Sequence, residues 1–416
     1  MRAPSAYIGL MQPDPAQTPE LVPSLITESS TKIVLVVMDG LGGLRTDDRG
    51  SELTAANSPN LDLLASEGSS GLQTLVAPGI TPGSGAGHLA LFGYDPLIYE
   101  LGRGALSAAG VGFELTDQDV AARVNFCTID GEGRITDRRA GRISTEENER
   151  LCQMLKASID LGGRAEVFFV TEKDHRALLV LRGQRLSSAI ADTDPQVTGV
   201  PPNQPLAVSP EAGPTADLFS EVLLQAGEAL KLQRANFILL RGFDSLRELP
   251  YFQNRYRLNA AGIAGYPMYV GIARILGMDV FEEPGGFAAE TTVLSDRFEA
   301  FDYFYVHQKK TDSAGEDGDF DRKVAAIEEV DASIPEIVGL KPSVICVTGD
   351  HATPSQLRAH SWHPVPFVMW GPSIGIDAVK AFNEEAARSG AFGHILGKDL
   401  MPLMLAAAGR LLKFGA

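Results

Sequence analysis

The stretch IVLVVMDG at residues 33–40 decides the fold, because a buried-strand pattern of apolar residues ends at the acidic residue Asp39. The same order recurs later in the chain, where FDYFYV precedes Asp312 and VICV precedes Asp350. In an open α/β sheet the carboxyl ends of the strands converge on one crevice. The three aspartates are therefore predicted to share one site, although they lie far apart along the chain.

Further potential metal ligands follow these aspartates closely. His351 comes directly after Asp350, Glu316 lies four residues after Asp312, and His360 lies nine residues after His351. Anions packed this closely repel one another unless protons or cations lie between them. Mixed carboxylate and imidazole groups suit divalent metals. The pattern therefore favours a two-metal centre.

A glycine-rich loop, TPGSGAGH at residues 81–88, precedes an apolar run and places Ser84 at a predicted helix N-terminus. Backbone amides at such a terminus favour a phosphoryl group, and glycines allow close approach of the backbone. The loop is not a P-loop, and Pro82 rules out the hydrolase elbow, which needs glycine at that position. Two interpretations stay open: a helix-capping serine in a tight turn, or a nucleophile activated by a bound metal.

Composition limits the class of protein and its partners. The 416 residues predict two domains, and a formal charge of −17 argues against nucleic acid as a partner. No apolar run approaches the roughly 20 residues that span a bilayer, and a signal-peptide pattern is lacking. We therefore expect a cytoplasmic protein that does not bind membranes. The three cysteines form no CxxC pair, which argues against a zinc–cysteine site, and the oligomeric state stays open.

Changes of pattern along the chain predict an inserted domain. Residues 1–30 are rich in proline without a sustained period, so we expect an irregular N-terminal arm. Alternating apolar runs in the middle of the chain are typical of strands in a second sheet. We predict a discontinuous α/β domain of residues 31–105 and 256–416, interrupted by a smaller α+β domain of residues 106–255 that binds substrate.

The sequence contains, in this order, MDG at 38–40, PGS at 82–84, FGYDP at 92–96 and TGDH at 348–351. Taken together, these motifs resemble those of the cofactor-independent phosphoglycerate mutases, in particular the archaeal-type branch within the alkaline phosphatase superfamily. The likeness covers nearly all of residues 32–409. It implies an alkaline-phosphatase-like core with a largely parallel sheet flanked by helices. It also implies a glycolytic isomerase that interconverts 3-phosphoglycerate and 2-phosphoglycerate through a phosphoserine.

The resemblance implies two divalent ions, which are manganese, magnesium, zinc or cobalt. The positions matching the ligands of one ion are Asp39, Ser84, Asp350 and His351, with Ser84 the residue that becomes phosphoserine. The positions matching the ligands of the other ion are Asp312, Glu316 and His360. Family members commonly have histidine in place of Glu316. A carboxylate there adds negative charge and favours harder ions, so the identity of the metal stays open.

Basic residues of the predicted insert are expected to hold the carboxylate and phosphate of a small substrate such as phosphoglycerate by bidentate bonds. These candidates are Arg123, Arg138, Arg139, Arg142, His175, Arg176 and Arg241. Each of them alone is compatible with an ordinary surface position. As a group in a strongly acidic protein they are better explained by a dianionic substrate, and which of them make contact stays open.

The metal ligands and the function each have competing interpretations. Acidic residues between 317 and 328 partly match a calcium-binding loop, but Arg322 stands where that loop requires glycine. His363 competes with His360 as a metal ligand, and the family's register before PVP favours His360. For the function, the alternatives are a metal-dependent phosphatase or another phosphomutase of the superfamily, and a non-enzymatic metal-binding protein.

Overall fold

The structure is a computed structural model that describes residues 21–46, 48–246 and 249–415. The strands found there are, in chain order, β1 (Ile33–Met38), β2 (Ser69–Thr74), β3 (Asp119–Ile129), β4 (Ile135–Asp137), β5 (Glu166–Lys173), β6 (Arg176–Arg182), β7 (Phe237–Asp244), β8 (Ala260–Ala264), β9 (Asp279–Glu282), β10 (Tyr303–Gln308), β11 (Val344–Thr348), β12 (Val365–Trp370) and β13 (Gly393–Leu396). The α-helices are α1 (Leu21–Leu25), α2 (Glu52–Ala55), α3 (Pro59–Glu67), α4 (Ser84–Leu91), α5 (Arg103–Gly110), α6 (Thr145–Ser158), α7 (Gly213–Leu230), α8 (Phe252–Tyr256), α9 (Pro267–Ile275), α10 (Phe287–Arg297), α11 (Lys310–Asp317), α12 (Phe320–Gly339), α13 (Glu384–Ala387) and α14 (Leu400–Ala407).

The larger sheet has the strand order β13-β2-β12-β11-β1-β10-β8-β9. All neighbouring strands are parallel except β12, which runs antiparallel to β11 and to β2. The central strands β1, β10 and β11 are fully buried, as their continuous apolar runs predict for strands covered on both faces. The predicted fold class, an α/β core with a largely parallel sheet, is confirmed.

A second sheet is built from the middle of the chain. Its order is β4-β3-β6-β5, with β7 pairing to β3, and all of its strand pairs are antiparallel. It has a hydrophobic core of its own, in which α6 and α7 pack on strands such as β3 and β6. Two sheets with separate cores support the division that we propose, with an inserted domain of residues 106–255 between residues 31–105 and 256–416.

Helix α5 packs between the two sheets. A Cβ atom at Gly104 would lie 2.1 Å from the carbonyl oxygen of Ala121 in β3, and one at Gly110 would lie 2.5 Å from that of Pro267 in α9. Glycine at both positions is therefore what allows this close approach. The predicted boundary between residues 105 and 106 falls inside this helix rather than in a linker.

The N-terminal arm was predicted to be irregular, and residues 1–20 of it lie outside the described residues. The remainder is ordered differently from the prediction, because residues 21–25 form α1 and Ile26 pairs with Leu411 in a β-bridge. Among the helices that the structure describes, none has the length and apolar character needed to cross a membrane.

Strand register brings the predicted site residues to one edge of the larger sheet. Val37 of β1 is paired with Thr348 of β11, so Asp39 and Asp350, each two residues further on, lie side by side. Asp312 follows β10, the other neighbour of β1, and lies in the first turn of α11. The three aspartates therefore meet at the carboxyl ends of adjacent parallel strands, as the sequence predicts.

Candidate active site

A fully buried cluster of Asp39, Asp350 and His351 lies at this edge of the sheet. The Nε2 atom of His351 lies 3.2 Å from Asp39 Oδ1 and 3.3 Å from Asp350 Oδ2. The hydroxyl oxygen of Ser84 lies 3.2 Å from the same nitrogen. The residues predicted to hold the first ion are therefore neighbours around one point.

The atoms of this cluster fit a divalent cation. The Thr353 hydroxyl donates to Asp312 at 2.7 Å, so at 2.9 Å it accepts a hydrogen bond from Nδ1 of His351. With this proton on Nδ1, loss of the other proton would leave the lone pair of Nε2 directed at the carboxylates. Asp39 Oδ1 and Asp350 Oδ2 have no hydrogen-bond partner among the described residues. A cation between these atoms would satisfy all of them, whereas a shared proton satisfies only one.

Electrostatics keep the two carboxylates ionised despite their burial. Burial raises the pKa of Asp39, but the charge of Lys309 and the neighbouring imidazoles of His307 and His351 outweigh this effect, and the pKa lies well below its ordinary value. Burial lowers the pKa of His351, but Asp350 and Asp39 raise it to about 9. A metal ion that binds this imidazole therefore has to displace a proton.

A second group of potential ligand atoms comes from Asp312, His351 and His360, and lies within 4.8 Å. His360 Nε2 is 3.5 Å from Asp312 Oδ1, and the His360 ring stacks on that of His351 at a centroid distance of 3.6 Å. His360 Nδ1 lies 3.0 Å from the carbonyl oxygen of Pro82, which only accepts hydrogen bonds. The proton is therefore on Nδ1, and Nε2 is left as a potential metal ligand.

Glu316 stands apart from these groups. Its side chain is exposed and lines the neighbouring cleft, but its carboxylate belongs to neither group of clustered ligand atoms in the described part of the chain. The ammonium group of Lys309 lies between the two sites instead, 3.1 Å from Asp39 and in an ion pair with Asp312. Ligation of a metal by Glu316 stays a prediction.

His363 is placed differently from His360. Its Nδ1 atom lies 3.1 Å from the hydroxyl oxygen of Ser361, and its ring stacks on Trp362 at 4.4 Å. His360 lines the cleft described below, whereas His363 is not part of that lining within residues 21–46, 48–246 and 249–415. The geometry therefore supports His360 as the candidate ligand.

Ser84 is the first residue of α4, with Gly83 in the N-cap position, which confirms its predicted place at a helix N-terminus. Because Gly83 is the N-cap, the interpretation of Ser84 as a capping residue loses its support. A Cβ atom at Gly87 would lie only 2.0 Å from the carbonyl oxygen of Asp350, so glycine lets this helix approach the carboxylates. The serine hydroxyl is thereby held beside the first cluster.

A cleft of about 350 Å³ lies beside these groups. Ser84, Lys309, Asp312 and His360 line one part of it. The remaining lining includes a set of basic residues that we call the arginine wall, which consists of Arg103, Arg123, Arg139, Arg142, His175 and Arg176. Five of the seven predicted substrate-binding residues therefore belong to the same cleft as the predicted nucleophile.

The arginine wall carries positive charge that is incompletely paired. Three nitrogen atoms of the wall are buried without a hydrogen-bond partner among the described residues. They are Nε of Arg123, Nε of Arg176 and Nδ1 of His175. Burial, followed by repulsion from Arg103 and Arg176, holds the pKa of Arg123 well below its ordinary value. Burial and Arg176 lower the pKa of His175 to about 3, so this imidazole is neutral. A bound anion would reduce the repulsion between these cations and accept the hydrogen bonds that the arginines lack.

Two predicted substrate residues lie outside this lining in the described structure. Arg138 makes a bidentate pair with the buried Asp194, at 2.9 and 2.7 Å, so its guanidinium is bound there rather than at the cleft surface, which does not support a contact with substrate. Arg241 lies opposite Arg123 in the register of β3 and β7, within 3.7 Å of Asp192 and 3.6 Å of Asp194. Arg241 is therefore a neighbour of the wall rather than part of its surface.

Sequence reasoning missed three residues of the site. Arg103 lies between two glycines in the GRG sequence at 102–104, which is the signal that could have identified it. Lys309 precedes Asp312 by three residues at the start of α11, a spacing that places two side chains on one helix face. Tyr269, whose hydroxyl donates to Asp39, comes from α9 and has no local signal at all.

Comparison with known proteins agrees with this geometry. The pattern of the family described as 2,3-bisphosphoglycerate-independent phosphoglycerate mutase matches residues 65–236. The chain is 49% identical over 397 residues to a protein of Thermus thermophilus described as a probable mutase of this kind, covering 94% of this chain and 98% of the relative. A Thermotoga maritima relative with the same description is 46% identical and covers 95% and 99% of the two chains. The chain belongs to this family.

Solved structures extend the likeness of this phosphoglycerate mutase family member to three dimensions. A Pyrococcus horikoshii protein matches with a TM-score of 0.79 and 29% identity, covering 93% of this chain and 99% of that one. A cofactor-independent phosphoglycerate mutase from Thermoplasma acidophilum matches with a TM-score of 0.63 and 30% identity, covering 91% and 100%. The resemblance derived from the motifs is confirmed, and the phosphoglycerate mutase likeness spans both sheets.

Proposed function

We propose that this mutase interconverts 3-phosphoglycerate and 2-phosphoglycerate, without a bisphosphoglycerate cofactor, by transferring the phosphoryl group to Ser84 and back. The observation that carries the proposal is the content of one cleft. A serine at a helix N-terminus, beside clustered carboxylates and imidazoles, shares a cleft of about 350 Å³ with several arginines, and the buried Nε atoms of Arg123 and Arg176 lack a partner among the described residues. This combination suits a small substrate that carries both a phosphate and a carboxylate.

Two divalent ions complete the proposed site. One would be held by Asp39, Ser84, Asp350 and His351, and the other by Asp312 and His360, with Glu316 as the predicted further ligand. When bound, they would lower the pKa of the serine hydroxyl and offset charge on the phosphoryl oxygens.

In the first half-reaction the Ser84 oxygen attacks phosphorus in line with the departing glycerate oxygen. The new bond joins Ser84 Oγ to phosphorus, the bond from phosphorus to the glycerate oxygen breaks, and the serine proton ends on that oxygen. Unpaired backbone N–H groups in the first turn of α4 stabilise the phosphoryl group. The second half-reaction repeats these steps in reverse with the other hydroxyl of glycerate.

Glycerate has to stay in the cleft between the two transfers. The arginine wall would hold its carboxylate by charge-assisted bonds while the hydroxyls exchange places. Water that reaches the phosphoserine would hydrolyse it, so the proposed insert has to close over the core domain during the reaction.

Incubation of the metal-loaded protein with 3-phosphoglycerate tests this proposal. We expect 2-phosphoglycerate, detected by coupling to enolase, and no net release of inorganic phosphate. Ser84→Ala should reduce this activity by several orders of magnitude, because a covalent step is lost. Ser66→Ala, which removes an exposed hydroxyl from α3, is the control and should retain full activity. Phosphate release without isomerisation would identify a phosphatase instead, and Ser84→Ala with more than a tenth of the activity would exclude Ser84 as the nucleophile.

A further inference from the structure

Lys323 of α12 is a fully buried lysine close to the candidate metal centre. Its ammonium group donates hydrogen bonds to three backbone carbonyl oxygens, those of Gly40 at 2.9 Å, Gly42 at 3.1 Å and Thr353 at 2.8 Å. An ammonium group has three N–H donors, whereas a neutral amine has two. Three acceptors at these distances therefore match the charged form.

The three carbonyls belong to the two loops that carry the clustered ligands. Gly40 and Gly42 follow Asp39, and Thr353 follows His351 by two residues. The loops are also joined directly, because the Thr353 amide donates to the carbonyl oxygens of Gly40 and Gly42 at 3.2 and 3.1 Å. Lys323 thus binds the point where the loops from β1 and β11 meet.

From this point, short hydrogen bonds lead to two of the predicted ligand carboxylates, those of Asp350 and Asp312. The Gly40 amide donates to Asp350 Oδ1 at 3.0 Å, and the Thr353 hydroxyl contacts Asp312 and His351. A Cβ atom at Gly40 would lie 2.5 Å from the Thr353 hydroxyl, so this backbone is packed without free space. A shift of either loop therefore moves ligand atoms of both groups.

The buried Glu52 and the half-buried Glu384 bind the same two loops. Glu52 accepts from the Ser355 amide at 2.7 Å, and Glu384 accepts from the Gly43 amide at 2.8 Å. Neither forms a direct ion pair with Lys323 within the part of the chain that is described, so backbone carbonyls provide all of the ammonium's hydrogen bonds. Without that ammonium, three carbonyl dipoles would point at one another in the interior, which is unfavourable.

We propose that Lys323 is a positioning residue for the metal centre, a fixed internal cation that holds the loops after β1 and β11 in the geometry that binds the two ions. This inference rests on the proposed function, since it concerns the same two-metal site. It assigns a role to a residue that, in the described part of the chain, neither lines the cleft nor makes a hydrogen bond to a predicted ligand side chain.

The test compares Lys323→Met with wild type in metal binding rather than in turnover. Methionine keeps the length of the side chain and removes the charge. Metal-stripped proteins are titrated with Co²⁺ by calorimetry, and the visible absorption of bound Co²⁺ reports the ligand geometry. We expect affinity to fall about 10- to 100-fold, as for other residues that orient metal ligands, and the Co²⁺ spectrum to change. Lys323→Gln keeps two N–H donors, so its affinity for Co²⁺ should lie between those of Lys323→Met and wild type.

Lys341→Met provides the control, because it removes the same charge from an exposed position beyond the C-terminal end of α12. It should bind Co²⁺ like wild type. If circular dichroism shows that Lys323→Met does not fold, Lys323→Gln replaces it, and a lower Co²⁺ affinity and a changed Co²⁺ spectrum are expected of that variant. Unchanged Co²⁺ affinity and spectrum in the folded variant would overturn the inference. A wild-type protein that binds two ions but does not isomerise phosphoglycerate would overturn the proposed function alone, whereas one that binds no Co²⁺ would overturn both.

Discussion

Replacing Arg123 by methionine should make the protein more stable and much less active. Arg123 is 5% exposed, its Nε atom lacks a partner in the described structure, and its guanidinium lies among like charges. Burial and repulsion from Arg103 and Arg176 together disfavour its charged form. A charge kept under these conditions lowers the stability of the free protein, and a bound anion is what compensates for it.

The two effects have different sizes. Replacing buried ion pairs by apolar side chains of similar volume is neutral or stabilises proteins by about 1–4 kcal/mol, and for the single charge of Arg123 we expect the lower half of that range because Glu172 partly offsets it. In the bound state the guanidinium is expected to make two charge-assisted bonds, each contributing about 1.5–3 kcal/mol. Their loss corresponds to a roughly 10²- to 10⁴-fold decrease in kcat/KM.

Urea unfolding without substrate and an enolase-coupled assay measure both quantities. Arg138→Met is the matched control, because the same change leaves the buried Asp194 without its bidentate partner. The control should lose about 3 kcal/mol or less of stability and keep most of its kcat/KM. An Arg123→Met protein that is less stable than wild type, or that keeps a third of the wild-type kcat/KM, would refute this account of the arginine wall.

Three further predictions concern the metal site, a buried acid and domain motion. Glu316→Ala should weaken binding of one of the two ions, and Glu316→His should restore it with a preference for softer ions such as zinc or cobalt; two ions counted at unchanged affinity in the alanine variant would make Glu316 a bystander. Burial raises the pKa of Glu290 from its ordinary 4.5 to about 8, so the folded protein holds a proton that the unfolded chain loses, and stability falls as the pH rises between these values. Glu290→Gln should remove this loss of stability. The free energy of unfolding in urea of the variant, relative to wild type, should therefore increase from pH 5 to pH 8, and an equal difference at both pH values would contradict burial of the Glu290 carboxyl as the cause. Small-angle scattering should show compaction with Mn²⁺ and 3-phosphoglycerate together, and identical profiles with and without them would count against closure of the insert.

The sequence alone determined the core of the fold and the family. The apolar runs before Asp39 and Asp350 are long and continuous enough to identify buried parallel strands, and their ends identify the active edge. The glycine-rich loop placed Ser84 at a helix start for local steric reasons, and the structure has that helix beginning at this residue. These features depend on chain neighbours within a few residues, which is why pattern and spacing predict them.

The tertiary structure decided which charged side chains share the cleft. Nothing in the sequence near Arg138 shows that Asp194 binds it, and nothing near Arg103 shows that it lies beside Arg123. Lys323 looks like an ordinary helix-surface lysine in the sequence, yet it lies buried against carbonyls 30 and more residues away. Long charged side chains reach partners by packing between distant segments, and their pairing is fixed by the cost of burying charge, which only the assembled fold specifies.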